Sequence, residues 1–177
     1  MSLYPIAAIT DEFSPDIEVA VRSMRQLGMK GAELRMVFGK NIIDLSDEEL
    51  DRAIAIVRGA GLEIISIASP LLKCVLPDAP EVDSRYQQDI FASKHTFEDQ
   101  PRLTARAFQI AQRTGARIIR VFSYWRTVRP EACFDRVVIA LRGLAEQAAA
   151  QVGTIRSEVS GQIDCRKIFS FAVIGRT

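Results

Sequence analysis

A glutamate inside an apolar strand is the first place to look for chemistry in this chain. Glu33 lies in the run GAELR, where it must face either a sheet interior or a helix layer, and an unpaired carboxylate buried there costs several kcal/mol. Arg35 follows two residues on and shares its side of the strand. Two readings stay open: a substrate clamp or acid/base carboxylate at the strand's carboxyl end, and a structural ion pair. Asp11 and Glu12 form a second acidic site. They could hold a metal or a sugar hydroxyl, or serve as solvated or capping acids, and strand neighbours pointing to opposite faces seldom act together. His95 is the single histidine, so an imidazole acid/base step near neutral pH has one candidate, set against a surface or capping role. Ser123, Trp125 and Arg126 lie with Arg120 in RIIRVFSYWRTVR, where arginine can hold a carboxylate or phosphate and tryptophan can stack on a sugar face. Ser66 and Ser69 close another apolar run, and Lys73 lies on the loop beyond it. No G-x-S-x-G elbow accompanies the histidine, and neither phosphate-loop pattern, G-x-x-x-x-G-K-[ST] nor G-x-G-x-x-G, occurs.

The elements that must position these residues repeat one unit: an amphipathic helix ends at a glycine and an apolar strand begins at once. The copies are RQLGMKGAELR from Arg25, RGAGLEIISIA from Arg58 and RTGARIIRVF from Arg113. This rhythm belongs to parallel α/β folds, whose ligands gather at the carboxyl ends of the strands. Strands are predicted over Pro5–Thr10, Gly31–Arg35, Leu62–Ala68 and Arg117–Ser123. Ser14-Pro15 reads as the cap and first turn of a helix with Ile17, Ala20, Val21, Met24 and Leu27 inward, and Ser46 with Glu49 reads as a capping box for the next. Leu103, Ala107, Ile110 and Ala111 mark a third helix, and Pro130 opens a fourth with Val137, Leu141, Leu144 and Ala148 inside. Between Ser69 and Asp99 lies a long polar insertion with three prolines, where two to six linking residues are usual. Such length implies a lid, a binding loop or a disordered segment.

Length and charge narrow the classes. The chain has 177 residues, short of the roughly 250 typical of a closed (β/α)8 barrel. Its 23 basic and 22 acidic residues create no global field for nucleic acid or an anionic membrane, so a small-molecule partner is expected and nucleic acid and membrane are not. Three widely spaced cysteines without a C-x-x-C pair, no basic leader and no apolar stretch near 20 residues point to a cytoplasmic location.

ITDEFSPD, GAELR, LEIISIASP, SKHTFED and ARAFQIAQRTGARIIRVFSYWR, in this order and spacing, resemble the first half of the sugar phosphate isomerase/epimerase family, the xylose-isomerase-like TIM barrel group. The resemblance covers roughly Ile6 to Ala150. It implies a partial (β/α)8 barrel of about four β/α units over residues 1–151, followed by an irregular tail over 152–177. It implies a divalent metal, Mn, Mg, Co or Zn, and a sugar or sugar phosphate substrate isomerised or epimerised by metal-assisted proton transfer. Glu33 and His95 correspond to the family's catalytic and substrate-side positions, with Asp11, Glu12, Arg35, Ser69, Ser123, Trp125 and Arg126 as substrate contacts. Of the expected metal ligands only Glu158 has a counterpart, in RSEVSG, which departs from the family's apolar strand and leaves the metal site incomplete. The tail has the pattern of a truncated or frame-shifted barrel, so weak or absent activity is expected. The alternative from another class is a non-catalytic binding or assembly protein, a homodimer of half-barrels paired through open sheet edges. A nuclease of the same barrel group would need more histidines than one.

Overall fold

The computed structural model describes residues 5–86 and 94–152, and the strand at 171–174. The first strand, β1 (Ala7–Ile9), runs into a 3-10 turn over Thr10–Glu12. Helix α1 (Ile17–Gln26) follows, capped by Asp16, whose Oδ1 accepts from the amides of Glu18 at 2.8 Å and Val19 at 3.5 Å. The cap therefore falls two residues later than Ser14-Pro15 suggests, because a carboxylate both accepts the free amides and carries charge that suits the positive helix end. Ser14 supports it by accepting from the Asp16 amide at 3.1 Å. Strand β2 (Gly31–Leu34) leads into a small antiparallel pair, β3 (Met36–Val37) and β4 (Lys40–Asn41). Helix α2 (Asp47–Gly59) starts from a complete capping box between Ser46 and Glu49, as their spacing predicts. Strand β5 (Glu63–Ala68), helix α3 (Gln100–Thr114), strand β6 (Ile118–Val121), helix α4 (Phe134–Val152) and strand β7 (Phe171–Ile174) complete the order. Pro130 begins a 3-10 turn, Pro130–Cys133, rather than α4 itself.

Each of α1, α2 and α3 is followed by a glycine with positive φ, Gly28 at 77°, Gly61 at 74° and Gly115 at 72°, the conformation that ends a helix and turns the chain into the next strand. The result is a mixed α/β fold with four helices among the described residues and a five-stranded sheet in which β1, β2 and β5 pair in parallel. The strands neighbour one another in the order β1-β2-β5-β6-β7. Register is set by β2: Ile9 and Ser66 stand on either side of Glu33, and β5 carries one extra residue, Ile65, at that point.

Burial alternates along β2. Ala32 and Leu34 are fully buried, while Glu33 and Arg35 are half-buried. On the Glu33 side, Gly31 has no room for a side chain, since a Cβ there would meet Ala7 Cβ and Ile65 Cγ2 at 2.9 Å. The other side is apolar: α1 buries Ile17, Ala20, Val21 and Met24, and α2 buries Leu50, Ala53, Ile54 and Val57, whereas Leu27, expected inward, is the residue at which α1 has already ended and is 68% exposed. The chain divides into two compact units, residues 1–69 with 106–119 and residues 70–105 with 120–177. No helix among the described residues is long and apolar enough to cross a membrane. Glu158 and the tail, β7 apart, lie outside the described residues.

Candidate functional site

In the first unit the charged candidates cluster where β1 and β2 end. Arg35 donates from Nε and Nη2 to Asp11 Oδ2 at 2.9 and 2.8 Å, and from Nη2 to Glu12 Oε1 at 2.5 Å. The other Asp11 oxygen accepts from the Met36 amide at 3.1 Å. Asp11 and Glu12 act together after all, because they lie in a 3-10 turn rather than on a strand, and successive side chains there can reach one guanidinium. The Asp11 and Arg35 side chains are only 8% and 14% exposed, against 60% for Glu12, so the inner pair carries the bond and Glu12 shields its rim. Burial pulls the Arg35 pKa down, but the hydrogen bonds it donates to Asp11 and then to Glu12 outweigh it and leave the guanidinium raised above its ordinary value. Chemically this is a lock: it ties the turn after β1 to the end of β2.

Glu33 stands just inside this lock. Its backbone carbonyl accepts from Thr10 Oγ1 at 3.4 Å, and its half-buried side chain lies on the sheet side opposite Ala32 and Leu34. Ser66 and Ser69, at the end of β5 and just past it, are buried.

The second unit is built from the loops that follow β5 and β6. Their backbones interleave: the amides of Phe122, Tyr124 and Trp125 donate to the carbonyls of Leu71, Leu72 and Cys74 at 2.8, 3.0 and 2.9 Å. Farther along, Asp83 donates to Arg126 and Val128 to Glu81, both at 2.9 Å, around an antiparallel bridge between Val82 and Thr127. The described first half of the long insertion is thus a structured ribbon stapled to the SYWRTV segment. Trp125 and Phe122 gather cations: Lys73 Nζ lies 5.1 Å from the Phe122 ring centre and 5.9 Å from that of Trp125, and Arg120 Cζ lies 5.5 Å from Phe122. Ser123 and Arg126 are half-buried in the same segment. Asp83 is buried and forms a forked pair with Arg85, at 2.8 and 2.7 Å. The Arg85 hydrogen bond, aided by the Arg126 charge, holds its carboxyl below the usual range. His95 is half-buried and lies five residues before the start of α3.

Lys73 is the residue that sequence reasoning left on a loop without a role. Its signal is visible in hindsight as one cation inside LLKCVL. Leu72, with φ at 58°, and Lys73, whose amide donates to Pro70 at 3.0 Å, complete a tight turn. A second left-handed residue, Tyr124 with φ at 67°, donates its amide to Leu72. Two non-glycine residues in this conformation cost roughly 1–2 kcal/mol each, and burial of Leu72 holds the turn in place.

No group of three or more His, Cys, Asp or Glu side chains that could hold a metal ion is found among the described residues. Asp11 has both oxygens engaged by Arg35 and the Met36 amide, and Glu158 lies outside the described residues. The described donors therefore do not fit the divalent ion that the family resemblance implies. Chains of known type offer no further guide: no protein-family model matches this chain, and neither does any curated protein or solved structure.

Proposed function

We propose that this chain is a sugar phosphate isomerase/epimerase-like protein, a partial (β/α)8 barrel of the xylose-isomerase-like group that binds a sugar or sugar phosphate at the carboxyl ends of its strands. One observation carries the proposal. Within the first unit, side chains able to do chemistry stand toward the carboxyl ends of parallel strands: Glu33, with the Asp11–Arg35 lock, at β1 and β2, and Ser66 and Ser69 at β5. That end is where parallel α/β folds place their ligands.

Glu33 is the proposed base. A half-buried carboxylate can take a proton from the carbon next to a sugar carbonyl and return it to the neighbouring carbon or the opposite face. Incubation with a panel of ketoses, aldoses and their phosphates in D2O tests the proposal, because proton transfer through a protein base exchanges the carbon-bound hydrogen. Deuterium incorporation lost in Glu33→Gln supports it; no incorporation from any member, with or without added Mn2+, refutes isomerisation.

The second reading, a non-catalytic half-barrel that self-associates, rests on the position of β1. It is three residues long at the end of the sheet order, and the adjoining Ile6 is 55% exposed, a combination that invites pairing. A monomeric mass by light scattering at 50 µM, about the 19.7 kDa of one chain, would sink that reading.

A further inference from the structure

We infer that two copies of this chain join through the outer edge of β1, paired antiparallel about a two-fold axis at Ala8; this rests on the self-association reading above. β1 ends the sheet order, with β2 on one side and no strand on the other among the described residues. The Ile6 carbonyl accepts from the amides of Lys30 and Gly31 at 2.9 and 3.4 Å, and Ala7 stands level with Gly31. The ladder to β2 therefore uses backbone groups of Ile6 and Ala8, and those of Ala7 and Ile9 point to the outer edge. That edge carries none of the usual guards: residues 6–9 are uncharged, contain no proline and form no bulge. Exposure agrees, since Ala7, Ala8 and Ile9 are all half-buried while Ala32 and Leu34 of β2 are fully buried.

The edge matches its own two-fold image. With Ala8 on the axis, Ala7 of each copy lies opposite the partner's Ile9 and exchanges both backbone bonds with it, so every outward group is paired. A register centred on Ala7 would set Ile9 against Pro5, which has no amide, and one centred on Ile9 would run into the 3-10 turn over Thr10–Glu12. Charge also favours the pairing. It sets the end of one copy that carries exposed Lys30 beside the end of the other that carries Asp11, Glu12 and Arg35, two carboxylates to one guanidinium. A three-residue strand is too short for the roughly 1,000 Å² that a specific interface buries, so α1 must take part. One flank of α1 faces α2, where Glu18 pairs with Arg52, and Arg25 Cζ would lie 3.6 Å from a Cβ at Gly61. The Leu27 amide still donates to Ser23 at 3.1 Å, which keeps Leu27 in helical phase, about 200° round from Arg25 and on the flank away from α2. Ile6 shares the Ala32 side of the sheet by alternation, the side that α1 covers. Leu27 and Ile6 are the two most exposed large apolar residues described in this unit, and the pairing covers both.

Analytical ultracentrifugation of the full chain should show a concentration-dependent dimer of twice the 19.7 kDa chain mass. Ala8→Cys should oxidise to a disulfide-linked dimer, because residue 8 faces its own copy with Cα atoms about 4.5 Å apart, within disulfide reach. Ile6→Cys should not, since Ile6 lies opposite the partner's Thr10 and about 13 Å along the strand from the partner's Ile6. The wild-type chain, with Cys74 and Cys133 buried, is the blank. Leu27→Ala should weaken dimerisation by roughly tenfold or more, as one leucine is lost from each copy; an unchanged dissociation constant overturns the part given to α1. A dimer in which Ile6→Cys cross-links as readily as Ala8→Cys, or in which neither does, overturns the β1 interface and leaves self-association standing. A monomer at every concentration overturns both. Growth beyond two chains overturns the closed two-fold arrangement. An independent measurement on the wild-type chain covers a variant that does not fold: amide exchange at Ala7 and Ile9 should slow as concentration rises, and exchange independent of concentration overturns the inference.

Discussion

Removing the Arg35 guanidinium, as Arg35→Met, tests whether the lock at the ends of β1 and β2 holds this part of the fold together. The substitution keeps an unbranched apolar side chain but strips two hydrogen bonds from Asp11 and one from Glu12. Asp11, 8% exposed, is left charged with the Met36 amide as its remaining bond described here. Deleting one partner of a buried pair costs about 3–5 kcal/mol. The 14% exposure of Arg35 puts this case near the lower end, about 3 kcal/mol, and the exposed Glu12 contact adds less than about 1 kcal/mol. For a chain of this length each kcal/mol moves the melting temperature by about 2–4 °C, so a fall of roughly 6–12 °C is expected. Calorimetry on the wild type, Arg35→Met, Asp11→Asn and the double variant completes the test. Most of the cost comes from stranding a buried charge, so the double variant should be more stable than Arg35→Met alone, with a coupling of about 1.5–3 kcal/mol. Additive single effects, or a fall under about 2 °C in Arg35→Met, would show that the cluster is a surface ion pair without structural weight.

Three further outcomes follow from other parts of the chain. Gly31→Ala should destabilise by about 1–3 kcal/mol, the usual cost of overpacking, because the new Cβ meets Ala7 Cβ and Ile65 Cγ2 at 2.9 Å; an unchanged urea midpoint refutes the close approach of β1, β2 and β5. The hydrogen bond from Arg106, with the charges of Arg113 and Arg106 adding to it, holds the Asp47 carboxyl below its ordinary value. A carboxylate depressed in the folded chain stabilises it above about pH 4 and loses that contribution as pH falls through the folded value. Asp47→Asn should therefore flatten the loss of urea midpoint between pH 5 and pH 2.5, and an unaltered slope refutes the link between α2 and α3. Burial, with the charges of Glu98 and Asp99, pushes the Cys74 thiol up to about 11. At pH 8 it should resist iodoacetamide until the chain is unfolded, and peptide mapping that finds it alkylated in the native chain refutes its burial.

The helix-glycine-strand rhythm was legible because each of its parts has a local cause. A glycine free to adopt positive φ, an inward apolar stripe and a β-branched run need no knowledge of distant residues, and so Gly28, Gly61 and Gly115 fall where the pattern puts them. The Ser46–Glu49 capping box was legible for the same reason. The partner of Arg35 was not, since Asp11 is 24 residues away and reaches it only once β1 and β2 pair in parallel. Spacing along one strand offered Glu33 as its neighbour, while pairing between strands brought in Asp11 and Glu12. The insertion after β5 was harder still. Its prolines and polar residues read as a lid, a binding loop or a disordered segment, and residues 71–83 exchange backbone hydrogen bonds with residues 122–128, a pairing that no local pattern encodes.

These non-local pairings divide the candidate residues by what they are free to do. A carboxylate whose two oxygens already accept from a buried guanidinium and a backbone amide must give up those bonds before it can take a substrate hydroxyl or a metal, at a cost comparable to the stability of the lock itself. Asp11 and Arg35 are therefore better suited to holding the strand ends in place than to gripping a ligand. Glu33, held in register between Ile9 and Ser66, gains a fixed backbone from that arrangement, which an acid/base group requires. In the other unit the ribbon does for Lys73 and Trp125 what the lock does for Glu33: it places a charged group and a ring on a fixed backbone. Loss of the lock in Arg35→Met should for that reason depress any isotope exchange that depends on Glu33, and exchange at the wild-type rate at a temperature well below the variant's melting point would show that the lock does not position that carboxylate.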